Sequence, residues 1–393
     1  MMNVDSFYRR TWVEISLDAL AHNVKAFRHL LPEKIELMAV VKADGYGHGA
    51  TEVAREALAC GVSYLAVAFL DEAIELRRNG IMAPILVLGF TSEEGFQLAL
   101  EHEVTLNVYR MDNLLKLAAL IAGTHHKAKI HIKLDTGMGR LGLPNQEDVI
   151  ALIEQALQLQ GIEVEGLFTH FATADEADKS YSRAQFERFD RVVKYFAGKK
   201  IAFPYLHTGN SAAAINLPGL TYNMVRLGIS MYGFYPSEEV GREKINLQPV
   251  MSFKTTIVML KEVPKGTGIS YGVIYHTQAE EEHIATLPVG YADGYSRMLT
   301  GRIQVLIGGQ RVPVVGKICM DQCMVNVTGL AEVELDDEVV LFGRQGNEVI
   351  LADELAQVLG TIHYEIVCMI SRRVPRVYLR HGEVIKVVNY LQV

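Results

Sequence analysis

The sequence lacks the features that define several common classes of protein. Its four cysteines, Cys60, Cys319, Cys323 and Cys368, include no C-x-x-C pair, so neither zinc nor any other metal site is predicted. No apolar run is long enough to cross a membrane, and residues 1–10 contain no signal-peptide core. The formal net charge of −8 argues against nucleic acid as the main partner. Together these absences predict a cytoplasmic protein.

The chain has an ordinary globular composition and a length that favours two domains. It contains 393 residues, of which 49% are hydrophobic and 21% are charged. Thr11 to Ile15 is predicted as a short strand, and Ser16 is predicted to cap a helix that ends at Leu30. From Leu37 onward, strand patterns alternate with helix patterns, which indicates a parallel sheet.

Eight predicted strands, most of them followed by a helix, favour a closed (β/α)₈ barrel of the TIM type over residues 1–243. An open, doubly wound sheet is the alternative. Such a sheet calls for G-x-G-x-x-G at its first turn, whereas this chain has Gly45-x-Gly47-x-Gly49 after a lysine. The predicted strands are 37–42, 63–69, 85–88, 104–109, 129–134, 164–169, 205–207 and 225–232.

Beyond about Glu243 the pattern changes to short segments rich in Val, Ile and Thr, separated by Gly and Pro. This pattern is typical of an all-β fold. It predicts a mainly-β domain over residues 244–393, with one helix at Ala352 to Leu359. One long strand is predicted from Phe253 to Leu260.

Lys42 lies where the first barrel strand is predicted to become a loop. A partly desolvated lysine has a lowered pKa and an amine available as a nucleophile. The functional interpretation is a Schiff-base lysine that holds an aldehyde cofactor. The alternative is a lysine that only ends a strand. The three following glycines let the backbone pass close to a bulky group.

Chemistry in such barrels belongs at the carboxyl ends of the strands. His170, Arg226 and the segment Asp135 to Arg140 lie at or after predicted strand ends, and we expect them to converge with Lys42. Phosphate sites favour the loops after the seventh and eighth strands. Residues 208–211 and 227–229 offer backbone N–H groups and a hydroxyl there.

Seven short motifs contain the candidate residues: AVVKADGYGHG at Lys42, KLDTGMGR from Lys133 to Arg140, THFA at His170, HTGNS from His207, MVRLGI at Arg226, ISYG at Tyr271 and ICMD at Cys319. Through these motifs the chain resembles the alanine racemases over essentially its whole length. The resemblance implies a pyridoxal 5′-phosphate enzyme with a barrel and a C-terminal β domain.

The resemblance also implies a role for each motif residue. Lys42 and Tyr271 are the two catalytic bases, and Arg226 faces the cofactor's pyridine nitrogen. Arg140, Met320 and Tyr291 bind substrate. The cofactor-binding residues are Lys42, Tyr46, His170, Asn210, Ser211, Arg226, Gly228, Ile229 and Tyr364.

In the family, residues at the positions of Tyr271, Tyr291, Cys319, Met320 and Asp321 enter the neighbouring subunit's site, which implies a homodimer with shared active sites. Many family members carry a carbamylated lysine at the position of Lys133. The alternative there is a plain lysine paired with a carboxylate.

Several functions compete at the sequence level. The leading hypothesis is interconversion of L- and D-alanine, which supplies D-alanine for peptidoglycan; a racemase with broader specificity, acting on serine or other small amino acids, is the runner-up. A barrel-type decarboxylase of basic amino acids would need a catalytic cysteine and an acidic residue in a pattern that is not found. A non-catalytic cofactor carrier is disfavoured because such proteins are usually barrels without a β domain.

Overall fold

The computed structural model describes residues 7–392, and the chain divides into two compact units. The barrel unit contains Leu20–Gly45 and Ala50–Gln248, and the β unit contains the chain up to Ala19, Tyr46–Gly49 and the chain from Pro249 onward. These boundaries differ from the predicted ones at both ends of the barrel.

The N-terminal strand β1 (Thr11–Ser16) belongs to the sheet of the β unit. It pairs antiparallel with strand Met251–Thr256 and parallel with strand Arg376–Arg380. Both partners are more than 230 residues away, so local pattern could not assign β1 to its sheet. Ser16 caps helix α1 (Leu17–Leu30) as predicted, since its Oγ accepts from the Ala19 N–H at 3.1 Å.

Eight parallel strands form a nearly closed barrel surrounded by helices, which confirms the predicted fold class. The strands are β2 (Glu36–Val40), β3 (Tyr64–Val67), β4 (Ile85–Val87), β5 (Thr105–Val108), β6 (Ala128–Lys133), β7 (Ile162–Phe168), β8 (Tyr205–His207) and β9 (Met224–Leu227). The helices are α2 (Ala50–Ala59), α3 (Leu70–Arg78), α4 (Phe96–Glu101), α5 (Met111–Ile121), α6 (Gln146–Gln158), α7 (Ser180–Gly198) and α8 (Ser211–Asn216).

The last barrel strand is shorter than predicted. It ends at Leu227, and Ile229–Tyr232 forms a 3₁₀ turn instead of continuing the strand. Every residue of that turn is buried, and periodicity cannot distinguish a buried strand from another buried apolar segment.

The seam between β8 and β9 is joined by individual hydrogen bonds. The Leu206 N–H donates to Asn223 Oδ1 at 2.7 Å, and the Arg226 N–H donates to the Gly209 carbonyl at 3.1 Å. The barrel therefore closes around a polar seam that holds Arg226.

A chain of polar side chains is buried in the barrel interior. The Arg226 guanidinium donates to His207 Nδ1 at 2.9 Å, so the proton of His207 lies on Nε2 and is donated to His131 Nδ1 at 2.8 Å. His131 Nε2–H then points at Glu165 Oε2, 3.4 Å away, which also accepts from the Tyr64 hydroxyl at 2.7 Å. The hydrogen bonds of this series are therefore all donated in one direction, from Arg226 toward Glu165.

The pKa values agree with this pattern of protonation. Burial lowers the pKa of both His131 and His207, which keeps the imidazoles neutral. Burial alone would raise the pKa of Glu165, but hydrogen bonds from His131 and Tyr64 outweigh it and bring that pKa to about 2. The barrel interior thus holds one carboxylate and two neutral imidazoles.

The β unit is built on an eleven-stranded sheet. The predicted strand from Phe253 to Leu260 is two strands, because its hydrogen-bonding partner changes between Ile257 and Val258. The Ile257 N–H donates to the Asp337 carbonyl, whereas the Val258 N–H donates to the Thr286 carbonyl. Besides β1, the strands are β10 (Met251–Thr256), β11 (Met259–Pro264), β12 (Gly268–Ile269), β13 (Tyr275–His276), β14 (Glu281–Leu287), β15 (Gln304–Ile307), β16 (Gln310–Val315), β17 (Cys323–Asn326), β18 (Glu338–Gln345), β19 (Glu348–Ile350), β20 (Arg376–Arg380) and β21 (Glu383–Val388), with β12 and β13 forming a separate pair.

Helix α9 (Ala352–Leu359) has the predicted bounds, and α10 (His363–Cys368) follows it. Within residues 7–392, no helix combines the length and the apolar character needed to span a membrane.

The buried histidines predict a loss of stability in acid. Below about pH 6.5 the unfolded chain binds protons that the folded chain excludes, so the free energy of unfolding falls as pH falls. The slope reaches about 1.4 kcal/mol per pH unit for each buried histidine. Urea unfolding followed by circular dichroism at several pH values should show a shallower slope for His131→Gln than for the wild type. His126→Gln, at an exposed position, is the control; equal slopes for the wild type and His131→Gln would contradict this account.

Candidate active site

Lys42 begins a left-handed turn two residues after β2 ends. Ala43, Asp44 and Gly45 all have φ and ψ near +50°, and Tyr46 continues with φ 52°. A left-handed conformation costs roughly 1–2 kcal/mol for each residue that has a Cβ atom. Strain of this kind persists only where surrounding contacts fix the backbone, and it is frequent at functional sites.

Contacts within the barrel unit hold this turn. Asp44 Oδ1 accepts from the Ala50 N–H at 3.0 Å, which ties the turn to the start of α2. Glu72 Oε1, from the first turn of α3, accepts from the Ala43 N–H at 2.6 Å. The lysine is therefore attached to a backbone that is fixed from two helices.

The glycines after Lys42 make room for the β unit's own chain. A Cβ atom on Gly47 would lie 2.2 Å from the Val367 carbonyl oxygen, and one on Gly49 would lie 1.8 Å from the Tyr378 hydroxyl. That hydroxyl donates to the His48 carbonyl at 3.0 Å, and Arg376 Nε donates to the Gly47 carbonyl at 3.1 Å. The bulky group expected beside these glycines is thus a protein backbone and a tyrosine.

Arg226 is buried at the carboxyl end of the barrel, where β9 lies beside β2. Its two terminal nitrogens lie within 3.1 Å of five acceptors, namely the carbonyls of Thr169, His207 and Thr208 and the Nδ1 atoms of His170 and His207. Burial, and secondly the charge of Arg140, lower its pKa to about 9, so the guanidinium remains a cation at neutral pH.

His170 lies directly after β7 and is mostly buried. Loss of hydration lowers its pKa well below the usual range, and the positive charges of Arg226 and Lys42 add to the effect. Because its Nδ1 accepts from Arg226 at 3.1 Å, the proton of the neutral ring lies on Nε2. The ring is a fixed hydrogen-bond donor at the barrel mouth.

Four of the predicted cofactor-binding residues, Asn210, Ser211, Gly228 and Ile229, come together at the start of α8. Asn210 caps the helix by accepting from the Ala213 N–H at 2.9 Å. The Gly228 N–H donates to Ser211 Oγ at 3.0 Å, which leaves the hydroxyl proton of Ser211 to be donated onward. Ile229 is the next residue in the same turn.

Lys133 lies at the end of β6, is 4% exposed, and has its Nζ 4.9 Å from the centroid of the Phe168 ring. Burial, followed by the charges of Arg226 and Arg140, lowers its pKa to about 7. Arg140 is exposed, and its backbone N–H donates to Asp135 Oδ2 at 3.0 Å.

In the β unit, Tyr271 also lies on a strained turn. Ser270 has φ 66°, Gly272 has φ 72° and Val273 has φ 48°, the last being an outlier for a β-branched residue. The Ser270 hydroxyl donates to the Lys317 carbonyl at 2.7 Å. Tyr271 itself is 71% exposed.

Two more predicted residues of the β unit lie on loops that are joined to each other. The Tyr291 N–H donates to the Cys319 carbonyl, and the Ala292 N–H donates to the Met320 carbonyl, both at 3.0 Å. Tyr291 is 41% exposed and Met320 is 53% exposed. Elsewhere in the unit, the rings of Tyr46 and Tyr364 are 6.2 Å apart.

Sequence reasoning assigned no role to four residues that support this site: Glu72, His131, Glu165 and His207. Three of them are polar residues on predicted barrel strands, where a charged or imidazole side chain facing inward needs a partner. That signal was available in the sequence. Glu72 gave none, because acidic residues are common in the first turn of a helix.

Comparisons with known proteins agree over nearly the whole chain. The family model "Alanine racemase, N-terminal domain" matches residues 15–236, and "Alanine racemase, C-terminal domain" matches residues 250–378. An alanine racemase of Desulforamulus reducens is 51% identical, covering 94% of this chain and 98% of its own. One of Clostridium novyi is 46% identical, covering 98% and 99%.

Solved structures give the same result. A Bacillus anthracis alanine racemase with bound L-Ala-P has a TM-score of 0.93 and 44% identity, covering 98% of this chain and 99% of its own. A histidine racemase from Leuconostoc mesenteroides has a TM-score of 0.89 and 30% identity, covering 96% and 100%. With both family domains matched and such identity over full-length relatives, the chain belongs to the alanine racemase family of enzymes.

Proposed function

We propose that this chain interconverts L- and D-alanine, with pyridoxal 5′-phosphate bound at the mouth of the barrel. The observation that carries the proposal is the hydrogen bond from the buried Arg226 to His170, a pair that lies near Lys42 at adjoining strand ends. The product D-alanine would serve peptidoglycan synthesis.

The residues present fit this cofactor by their chemistry. Lys42 supplies an amine for its aldehyde carbon, and Ser211 supplies a hydroxyl proton for its phosphate. Because the terminal N–H groups of Arg226 already donate to five acceptors, the donor for the ring nitrogen would be its Nε–H. Bound through its aldehyde to an amino acid, pyridoxal phosphate withdraws electrons and so acidifies the Cα–H bond. By resemblance, the remaining phosphate contacts are Tyr46, Gly228, Ile229 and Tyr364, and Asn210 is a further cofactor-binding residue.

Arg226 limits how far that withdrawal goes. A guanidinium donates hydrogen bonds but does not give up its proton at neutral pH. It therefore leaves the ring nitrogen unprotonated, which makes the ring a weaker electron acceptor. We infer that this choice restrains side reactions such as transamination.

Racemisation needs a proton acceptor on each face of Cα, and one lysine reaches only one face. Lys42 Nζ is assigned to one face and Tyr271 Oη to the other. A free tyrosine has a pKa of about 10, so a tyrosine base is assisted by nearby positive charge. Arg226 would provide that charge through His170.

Tyr271 would come from the neighbouring subunit of a homodimer, together with Tyr291 and Met320. Their exposed side chains are compatible with being covered by a second chain. Arg140 and the Met320 amide would bind the substrate carboxylate, with Tyr291 beside them.

Broader specificity is the second candidate function. A histidine racemase shares this fold at 30% identity, so the architecture accommodates a side chain larger than a methyl group in that protein. Turnover of serine and histidine measured beside alanine separates the two candidates.

Tyr271→Phe tests the two-base assignment. By resemblance, Lys42 is the base for D-alanine and Tyr271 is the base for L-alanine. Lys42 remains intact in this variant, so we expect continued exchange of the α-proton of D-alanine with deuterated solvent. Exchange from L-alanine and net racemisation should fall by about 10²–10⁴-fold, the usual contribution of a general base. NMR of each enantiomer, incubated separately, measures the exchange.

Tyr275→Phe is the matched control, because the Tyr275 hydroxyl is bonded to Glu282 at 2.7 Å, outside the Tyr271 turn. It should leave exchange from both enantiomers close to the wild-type rate. Equal residual exchange from both enantiomers in Tyr271→Phe would mean that one base serves both faces.

We also propose that Lys133 is carbamylated. Its immediate electrostatic neighbours include Arg226, Arg140 and Lys42, opposed by Asp135. A pKa of about 7 makes much of the amine neutral, the form that attacks carbon dioxide. The nitrogen–carbon bond forms, one proton leaves to water, and the resulting anion compensates the surrounding cations and can hold Arg140.

¹³C-labelled bicarbonate should therefore give a carbamate signal in the NMR spectrum of the native enzyme. Lys133→Met should lose the signal and raise the KM for alanine, since Arg140 would lose its partner. Lys127→Met, at an exposed lysine, should keep the carbamate signal and the wild-type KM for alanine. A native enzyme without the signal at saturating bicarbonate would overturn the assignment.

A further inference from the structure

The carboxylate of Glu72 links the start of α3 to the turn after Lys42, two segments that are far apart in sequence. Its Oε2 accepts from the backbone N–H groups of Ala68 and Phe69, at 2.7 and 3.2 Å, and so caps the start of α3. Its Oε1 accepts from the Ala43 N–H at 2.6 Å. One side chain thus satisfies its own helix and the turn after Lys42.

The bond to Ala43 acts on Lys42 directly. The Ala43 N–H belongs to the peptide group that links Lys42 to Ala43, so the bond fixes the plane of that peptide. The plane in turn helps set the direction in which the Lys42 side chain leaves the backbone. Ala43, at φ 52° and ψ 50°, would relax to a right-handed or extended conformation if nothing held it.

We propose that Glu72 is a positioning residue for Lys42: it holds the left-handed turn that aims the lysine amine at the cofactor. This inference rests on the proposed function, in which Lys42 binds the cofactor covalently. Nothing in the local sequence marks the role, because the bond spans 29 residues.

Helix capping alone is the competing explanation, and substitution separates the two. A glutamine has one accepting oxygen and one donating nitrogen, so Glu72→Gln can satisfy either the helix cap or Ala43, but not both. Ala43→Val disturbs the turn while it leaves the cap intact, because a β-branched residue strongly disfavours a left-handed conformation. Ala43→Gly removes the steric cost of that conformation.

The experiment compares these variants as holoenzymes. Induced circular dichroism of the bound cofactor reports its orientation, and kcat, KM and the melting temperature are measured beside it. Glu72→Gln and Ala43→Val should both change the induced signal and lower kcat on the order of tenfold, with a smaller change in KM. Adding Ala43→Gly to Glu72→Gln should restore most of the induced signal and most of kcat.

Asp71→Asn is the matched control, since it removes an exposed carboxylate from the same first turn of α3. It should leave kcat and the induced signal unchanged. If Glu72→Gln lowers only the melting temperature, or if Ala43→Gly restores nothing, Glu72 is a helix cap and the inference fails. If Glu72→Gln does not fold, Ala43→Val decides by the same readouts.

Failure of the proposed function is recognised separately. Borohydride reduction and peptide mapping of the wild-type holoenzyme should find the cofactor on the peptide that contains Lys42. Cofactor on another lysine would overturn the proposed function itself. Cofactor on Lys42, with Glu72→Gln behaving like Asp71→Asn, would overturn only the role of Glu72.

Discussion

The structure of the barrel mouth depends on the hydrogen bonds made by the buried guanidinium of Arg226. It is a charge removed from water, and no carboxylate among residues 7–392 contacts it; three backbone carbonyls and two imidazole nitrogens surround its terminal nitrogens instead. Such a charge is tolerated only when its donors are satisfied. Since arginine only donates, its two histidine neighbours must accept, and their tautomers follow.

The requirement that the neighbours of Arg226 accept hydrogen bonds affects residues both at the barrel mouth and in the barrel interior. Toward the mouth, it fixes the N–H of His170 where a ligand would bind. Toward the interior, it sets the order of donation through His207 and His131 to Glu165, whose carboxylate also forms an ion pair with Lys129 at 3.2 Å. The pKa directions of the histidines and of Glu165 are consequences of the same arrangement.

A second constraint acts on the backbone beside the two candidate bases. Lys42 and Tyr271 each adjoin several residues in the left-handed region, including Ala43 and Val273, which have no intrinsic preference for it. Strained turns held by neighbouring side chains are stiff, and a stiff backbone keeps a reacting atom within the narrow range that proton transfer requires. If Lys42 and Tyr271 are the two bases of a racemase, the strain in both turns has a functional reason.

Much of the barrel could be predicted from sequence, because each strand and helix has its own periodicity and the strand ends identify Lys42, His170 and Arg226. The pairing of β1 could not, since its partners lie more than 230 residues away. The need for glycine at Gly47 and Gly49 arises from Val367 and Tyr378, and no local pattern records those contacts. Glu72 escaped notice for the same reason.

The claim that Arg226 dictates the protonation of its neighbours is tested most directly by ¹⁵N NMR of histidine-labelled protein, with signals assigned through variants at His131 and His207. From about pH 6 to about pH 8, where Arg226 is a cation, both rings should be neutral, with the proton on Nε2 and an unprotonated Nδ1. A His207 ring that carries its proton on Nδ1, or that becomes a cation within this range, would contradict the account.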